Sequence, residues 1–135
     1  MGVSRTLRPA RGRVDEKPVV CVVDDDFSVR RALCRLLEAA GYEVEAFERA
    51  AAFCERSSGS RPLCLVLDIR MPAMSGLELQ SRLQSAGCAP PIVFITAYSE
   101  EEVRQEALAY GAIDVLYKPL RRAVLLDAID RALRS

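Results

Sequence analysis

Five alternations of a short apolar run with a helical apolar stripe predict an α/β domain: a doubly wound, five-stranded parallel sheet with helices on both faces. The short runs are β-branched and uninterrupted, which is the pattern of strands buried on both faces. Each is followed by apolar residues at helical spacing, so consecutive strands are joined by right-handed crossovers and lie parallel. The length, 135 residues, matches one domain, and a chain near this size buries roughly two-thirds of its unfolded surface.

Pro18 opens the first run, Val19-Val20-Cys21-Val22-Val23, which stops at Asp24-Asp25-Asp26. Val29, Ala32, Leu33, Leu36, Leu37 and Ala40 then form an amphipathic stripe, with Asp26 or Ser28 placed to cap the helix and Gly41 to end it. The alternation continues as strand 42–47, helix 49–57, strand 63–67, helix 77–86, strand 92–95, helix 100–110, strand 113–117 and helix 123–133. Val124, Leu125, Ala128, Ile129, Ala132 and Leu133 read as a core-facing stripe of the last helix. Ser75-x-x-Glu78 and Ser99-x-x-Glu102 have capping-box spacing, and Gly87 and Gly111 stand where helices should stop.

Composition removes several chemistries. With no histidine, a Ser-His-Asp triad, a Cys-His pair and any His-ligated metal are excluded. Five cysteines, at 21, 34, 54, 64 and 88, include no C-x-x-C pair and suggest neither a disulfide framework nor a zinc site. Cys21 and Cys64 lie in apolar runs, where a thiol acts as a small hydrophobe. This usage, the lack of a signal-peptide-like apolar segment in the first 18 residues and the lack of an apolar run near 20 residues lead us to expect a cytoplasmic protein without a membrane partner. The 19 Lys and Arg balance the 19 Asp and Glu, but unevenly. Residues 1–17 hold five basic and two acidic groups and read as a basic, disordered extension; residues 18–135 hold the folded domain and are mildly acidic, which argues against nucleic acid as a direct partner.

In a parallel α/β sheet ligands bind beyond the carboxyl ends of the strands. The first strand ends in Asp24-Asp25, the third in Asp68, the fourth in Thr96 and the fifth in Lys118-Pro119. Taken singly these have ordinary readings, a solvated turn or cap for the acidic triplet and a loop start for Lys118-Pro119. Their joint placement favours chemistry. Like charges about 4 Å apart at an effective dielectric near 20 cost on the order of 4 kcal/mol, so three gathered carboxylates either hold a proton or bind a cation. All-oxygen ligands suit a hard ion such as Mg²⁺, whose natural further ligand is a phosphoryl oxygen. Lys118 and Thr96 supply a charge and a hydroxyl for that group, and Asp68 is placed to become an aspartyl phosphate.

The stretches Val23-Asp24-Asp25, Leu67-Asp68-Ile69-Arg70-Met71-Pro72-Ala73-Met74-Ser75-Gly76, Ile95-Thr96-Ala97 and Tyr117-Lys118-Pro119-Leu120 resemble the four signature segments of response-regulator receiver domains, the CheY-like fold with strand order 2-1-3-4-5. The resemblance covers residues 19–134, and the wording from Arg70 to Leu79 is closest to the FixJ-type subfamily. It implies that Asp68 accepts a phosphoryl group from a sensor histidine kinase. It also implies that Asp25, Asp68 and the backbone carbonyl of Arg70 ligate Mg²⁺, with Asp24 acting through a water, and that Lys118, Thr96 and the Ala97 N–H contact the phosphoryl group. The Lys118-Pro119 bond is expected to be cis. Phosphorylation would shift the surface of the fourth helix, fifth strand and fifth helix, a face used for homodimerisation or output. Output would run through a DNA-binding domain outside these residues, the chain being either the receiver part of a longer protein or a single-domain regulator. The family's aromatic switch residue falls at Val115, so Tyr117 or Tyr98 is the expected substitute.

Two rivals differ in class. A haloacid-dehalogenase-like phosphatase would carry an acid two residues after its nucleophile, where this chain has Arg70, so we expect no enzyme beyond self-phosphorylation and slow autodephosphorylation. A pseudo-receiver would have lost Asp68 or its neighbours, which are all present. Neither G-x-G-x-x-G nor G-K-[ST] occurs to bind a nucleotide. Met71 and Met74, beside Pro72 and Gly76, read as loop packing rather than a soft-metal site.

Overall fold

The computed structural model describes residues 18–56 and 61–135; the expected basic extension lies outside them, and the second helix ends at Cys54, with Glu55 as its C-cap, short of the expected end at Ser57. The chain alternates β1 (Val19–Val23), α1 (Phe27–Ala39), β2 (Glu43–Phe47), α2 (Ala50–Cys54), β3 (Cys64–Asp68), α3 (Gly76–Ser85), β4 (Ile92–Thr96), α4 (Glu101–Ala109), β5 (Asp114–Tyr117) and α5 (Arg122–Leu133). The strands pair in parallel in the order β2-β1-β3-β4-β5, as expected.

Strand alternation divides the core in two. Val20, Val22, Val66, Val93, Ile95 and Leu116 face α1 and α5, where Leu33, Leu37, Leu125 and Ile129 cover them. Val23, Leu65, Leu67, Phe94 and Val115 face the other way, onto Ala50, Phe53, Leu79 and Ala107 of α2, α3 and α4. Cys21 and Cys64 are buried on opposite faces, and burial pushes their thiols up to about 11 and about 12, so both pack as neutral hydrophobes. Met71 and Met74 pack on the α2–α4 side, as loop packing requires.

Helix ends show which local signals hold. Asp26 caps α1, its carboxylate accepting the Ser28 and Val29 N–H groups at 2.8 and 3.2 Å. The Ser75–Glu78 capping box closes α3. The Ser99–Glu102 box does not form, because Glu100 takes the N-cap position of α4 and Glu102 falls at the second helical position instead of the third. Gly41, Gly87 and Gly111 take φ of +101°, +72° and +99° just past three helices, where residues with a Cβ are strained. β3 runs one residue further than expected, so Asp68 sits inside the ladder opposite Ile95. The helical stripes are narrower than expected: Ala32 is exposed, and so are Val124 and Leu133 at the margins of α5.

Candidate functional site

Parallel pairing brings the carboxyl ends of β1, β3, β4 and β5 to one edge, so residues almost a hundred positions apart meet there. Oxygens of Asp24, Asp25 and Asp68 all lie within 4.8 Å of one another. Lys118 reaches in from the end of β5, its Nζ 2.9 Å from Asp24 Oδ2 and 3.5 Å from Asp68 Oδ2. The Lys118-Pro119 bond is cis.

Adjacent residues at a strand end point to opposite sides, and the three carboxylates differ accordingly. Asp24 is fully buried: its Oδ1 accepts the Asp26 N–H at 2.8 Å, and its backbone carbonyl accepts the Arg30 guanidinium at 2.8 Å. Asp68 is 4 % exposed, while Asp25 is open to solvent. Burial, followed by the neighbouring charge of Asp24, pushes the Asp68 carboxyl up to about 6, against the opposing pull of Lys118. Burial pulls Lys118 down, but its hydrogen bond and charge pairing with Asp24 and Asp68 outweigh it and the ammonium is held.

Three carboxylates against one ammonium leave an excess of negative charge in a half-buried cup. The donors are oxygens only, with one solvent-open member, which fits a hard divalent ion that keeps some of its waters. The Arg70 N–H donates to Asp68 Oδ1 at 3.3 Å, placing the first turn of the β3–α3 loop over the carboxylate. Thr96 is buried at the end of β4, its Oγ1 accepting the Tyr98 N–H at 3.1 Å, and Ala97 between them is exposed. Val115 is buried against the α2–α4 side, whereas Tyr117 and Tyr98 are exposed.

Two features were not foreseen in the sequence. A Cβ on Gly76 would lie 2.4 Å from the Asp68 carbonyl oxygen and 3.0 Å from Ile69 Cα, so the start of α3 presses on the backbone of Asp68. The Gly76 N–H also donates to the Ile69 carbonyl at 2.8 Å. The second is a bridge across the mouth: the Arg70 guanidinium pairs with Glu100 and lies 4.7 Å from the centroid of the Tyr98 ring. No local pattern joins residues 70, 98 and 100, so only tertiary structure brings them together.

The sequence and the fold have known relatives. The pattern of the response regulator receiver domain matches residues 20–130. Response regulator protein TodT of Pseudomonas putida is 39% identical over 120 residues, 89% of this chain and 53% of TodT. Transcriptional regulatory protein FixJ of Bradyrhizobium diazoefficiens is 36% identical over 116 residues, 86% of this chain and 57% of FixJ. A solved structure of the response regulator StyR superposes with a TM-score of 0.80 at 48% identity, covering 88% of this chain and 60% of that one. The chain spans about half the length of the curated relatives it matches. Matched over most of its described residues and built on the same sheet, this chain belongs to the response regulator receiver domain family of two-component systems.

Proposed function

We propose that this receiver domain is a phosphoacceptor switch in which Asp68 takes a phosphoryl group from a phosphohistidine on a sensor histidine kinase. The observation that carries this reading is the meeting of Asp24, Asp25 and Asp68 within 4.8 Å, with Lys118 against two of them. An Asp68 carboxylate oxygen attacks phosphorus as the P–N bond of the donor breaks, the electron pair leaving with the imidazole; these 135 residues hold no histidine, so the donor imidazole lies outside them. Lys118 neutralises the incoming phosphoryl oxygens, and Thr96 and the Ala97 N–H turn toward the group once it is attached. Asp25, Asp68 and the Arg70 carbonyl would hold Mg²⁺, with Asp24 supporting through a water. Bound there, the ion supplies charge neutralisation between the carboxylates and the phosphoryl oxygens.

Arg70 stands where a phosphatase would place its second acid, which supports slow self-dephosphorylation in place of enzymatic turnover. The free thiols of Cys21, Cys34, Cys54, Cys64 and Cys88 suit a reducing, cytoplasmic setting. None of the described helices is long and apolar enough to cross a membrane. The names of relatives such as FixJ support an output in transcription; that this output runs through a DNA-binding domain outside these residues and a phosphorylation-dependent homodimer on the α4-β5-α5 face is part of the proposal.

Intact mass after incubation with acetyl phosphate and Mg²⁺ tests the reading. One phosphoryl adduct is expected in the wild type, and none in Asp68→Asn or with excess chelator. An unmodified wild type, under conditions where Mg²⁺ binding is demonstrated and a phosphorylated kinase is also offered, would favour a protein-binding pseudo-receiver.

A further inference from the structure

We infer that Arg70, Tyr98 and Glu100 form a clasp that holds the N-terminal end of α4 against the phosphoacceptor loop, and that α4 responds to phosphorylation by releasing this end while its C-terminal end stays pinned to α3. The inference rests on the phosphoacceptor reading for its trigger, but the clasp itself is present in the resting fold. Its three members come from both loops that border Asp68: Arg70 from the β3–α3 loop, Tyr98 and Glu100 from the β4–α4 loop. The guanidinium pairs with the Glu100 carboxylate and covers the Tyr98 ring at 4.7 Å. Glu100 is the N-cap residue of α4 and its carbonyl accepts the Arg104 N–H at 3.0 Å, so whatever holds Glu100 holds the first turn of the helix.

Each side of the clasp is tied to a group that the chemistry would disturb. The Arg70 N–H donates to Asp68 Oδ1, and the Tyr98 N–H donates to Thr96 Oγ1. Attaching a phosphoryl group adds negative charge at Asp68 that competes with Glu100 for the guanidinium, and turning Thr96 toward it breaks the bond that holds the Tyr98 backbone. Val115, small and buried, has no ring to carry such a signal through β5.

The other end of α4 is built differently. Gln80 of α3 is buried and its Nε2 donates to the Ala107 carbonyl at 3.2 Å and to the Tyr110 carbonyl at 3.5 Å, while Gln84 donates to the Tyr110 carbonyl as well. Buried amide bonds are expensive to leave unmade, whereas a half-exposed ion pair is weak. The N-terminal end is therefore the one that yields.

Amide hydrogen exchange on the full chain tests this, comparing the wild type with Glu100→Gln and Tyr98→Ala, each with and without acetyl phosphate and Mg²⁺. Glu100 makes no side-chain cap bond, so Glu100→Gln removes the ion pair without removing a cap. In the unphosphorylated variants the Arg104 amide is expected to exchange about two- to fivefold faster than in the wild type, the factor that an exposed ion pair and a stacked ring are worth. The Tyr110 and Ala112 amides should be unchanged. Phosphorylated wild type should show the same selective rise at Arg104. Equal Arg104 rates in wild type and both resting variants would overturn the clasp, and a phosphorylation-driven rise at Tyr110 as large as that at Arg104 would overturn the pinned end. A wild type that takes no adduct by mass counts against the phosphoacceptor reading, while the resting comparison still decides the clasp.

Discussion

The three aspartates at the mouth show how one residue type takes three roles from its surroundings. Asp24 is fully buried against Lys118, Asp25 opens to solvent, and Asp68 is nearly buried with its carboxyl pushed up to about 6. Their identities are legible in the sequence, because a charged residue that ends an apolar strand of a parallel sheet has one place to go. The glycine beneath them is not, since its role depends on α3 folding back over Asp68. Gly76→Ala would set a Cβ 2.4 Å from a backbone oxygen, and backbone cannot swing aside as a side chain does. The substitution is expected to destabilise the domain by about 1–3 kcal/mol in urea unfolding and to slow phosphoryl uptake in the mass assay, by displacing Asp68. Unchanged stability and uptake would show that α3 shifts without cost.

Helix starts illustrate the limit of reading elements locally. Asp26 and Ser99 both precede helices and both look like caps, yet only Asp26 accepts hydrogen bonds from the first turn. Asp26→Ala is expected to cost about 1 kcal/mol of unfolding free energy, and Ser99→Ala close to nothing, in parallel denaturant titrations. A comparable loss at Ser99 would mean that α4 begins a residue earlier in solution. The register of a capping box is settled by which residue leaves the helix first, and at α4 a distant side chain, Arg70, engages Glu100 at that point. The amphipathic stripes were legible for a similar reason in reverse: Leu33, Leu37, Leu125, Ala128 and Ile129 follow helical spacing and are buried. The stripe margins, Ala32, Val124 and Leu133, are exposed because the width of the covered face depends on the neighbouring elements, which periodicity does not contain.

Across the whole molecule, the site and the stability of the fold are coupled through charge. The folded, metal-free protein holds the Asp68 carboxyl at about 6, above its ordinary value of 3.8, so folding favours the protonated form. The penalty for the ionised form is absent below about pH 4, grows as pH rises through 6 and is complete above it, reaching on the order of 2–3 kcal/mol. Asp68→Asn, neutral and of the same shape, is therefore expected to melt on the order of 10 °C higher than the wild type at pH 7.5 without metal, with the gap closing by about pH 4. Added Mg²⁺ should raise the wild type more than the variant; thermal scans showing no gap at about pH 7.5 would refute the buried charge. The strand and helix alternation, the two-faced core and the residues that end each strand follow from the amino-acid order alone, because they depend on local periodicity and on the burial of apolar surface. Which aspartate is buried and which is open, the seating of Gly76 against Asp68, and the meeting of Arg70, Tyr98 and Glu100 across the mouth arise from three-dimensional packing. Those facts depend on distances between segments far apart in the chain, which are settled when the sheet closes and the loops pack against one another.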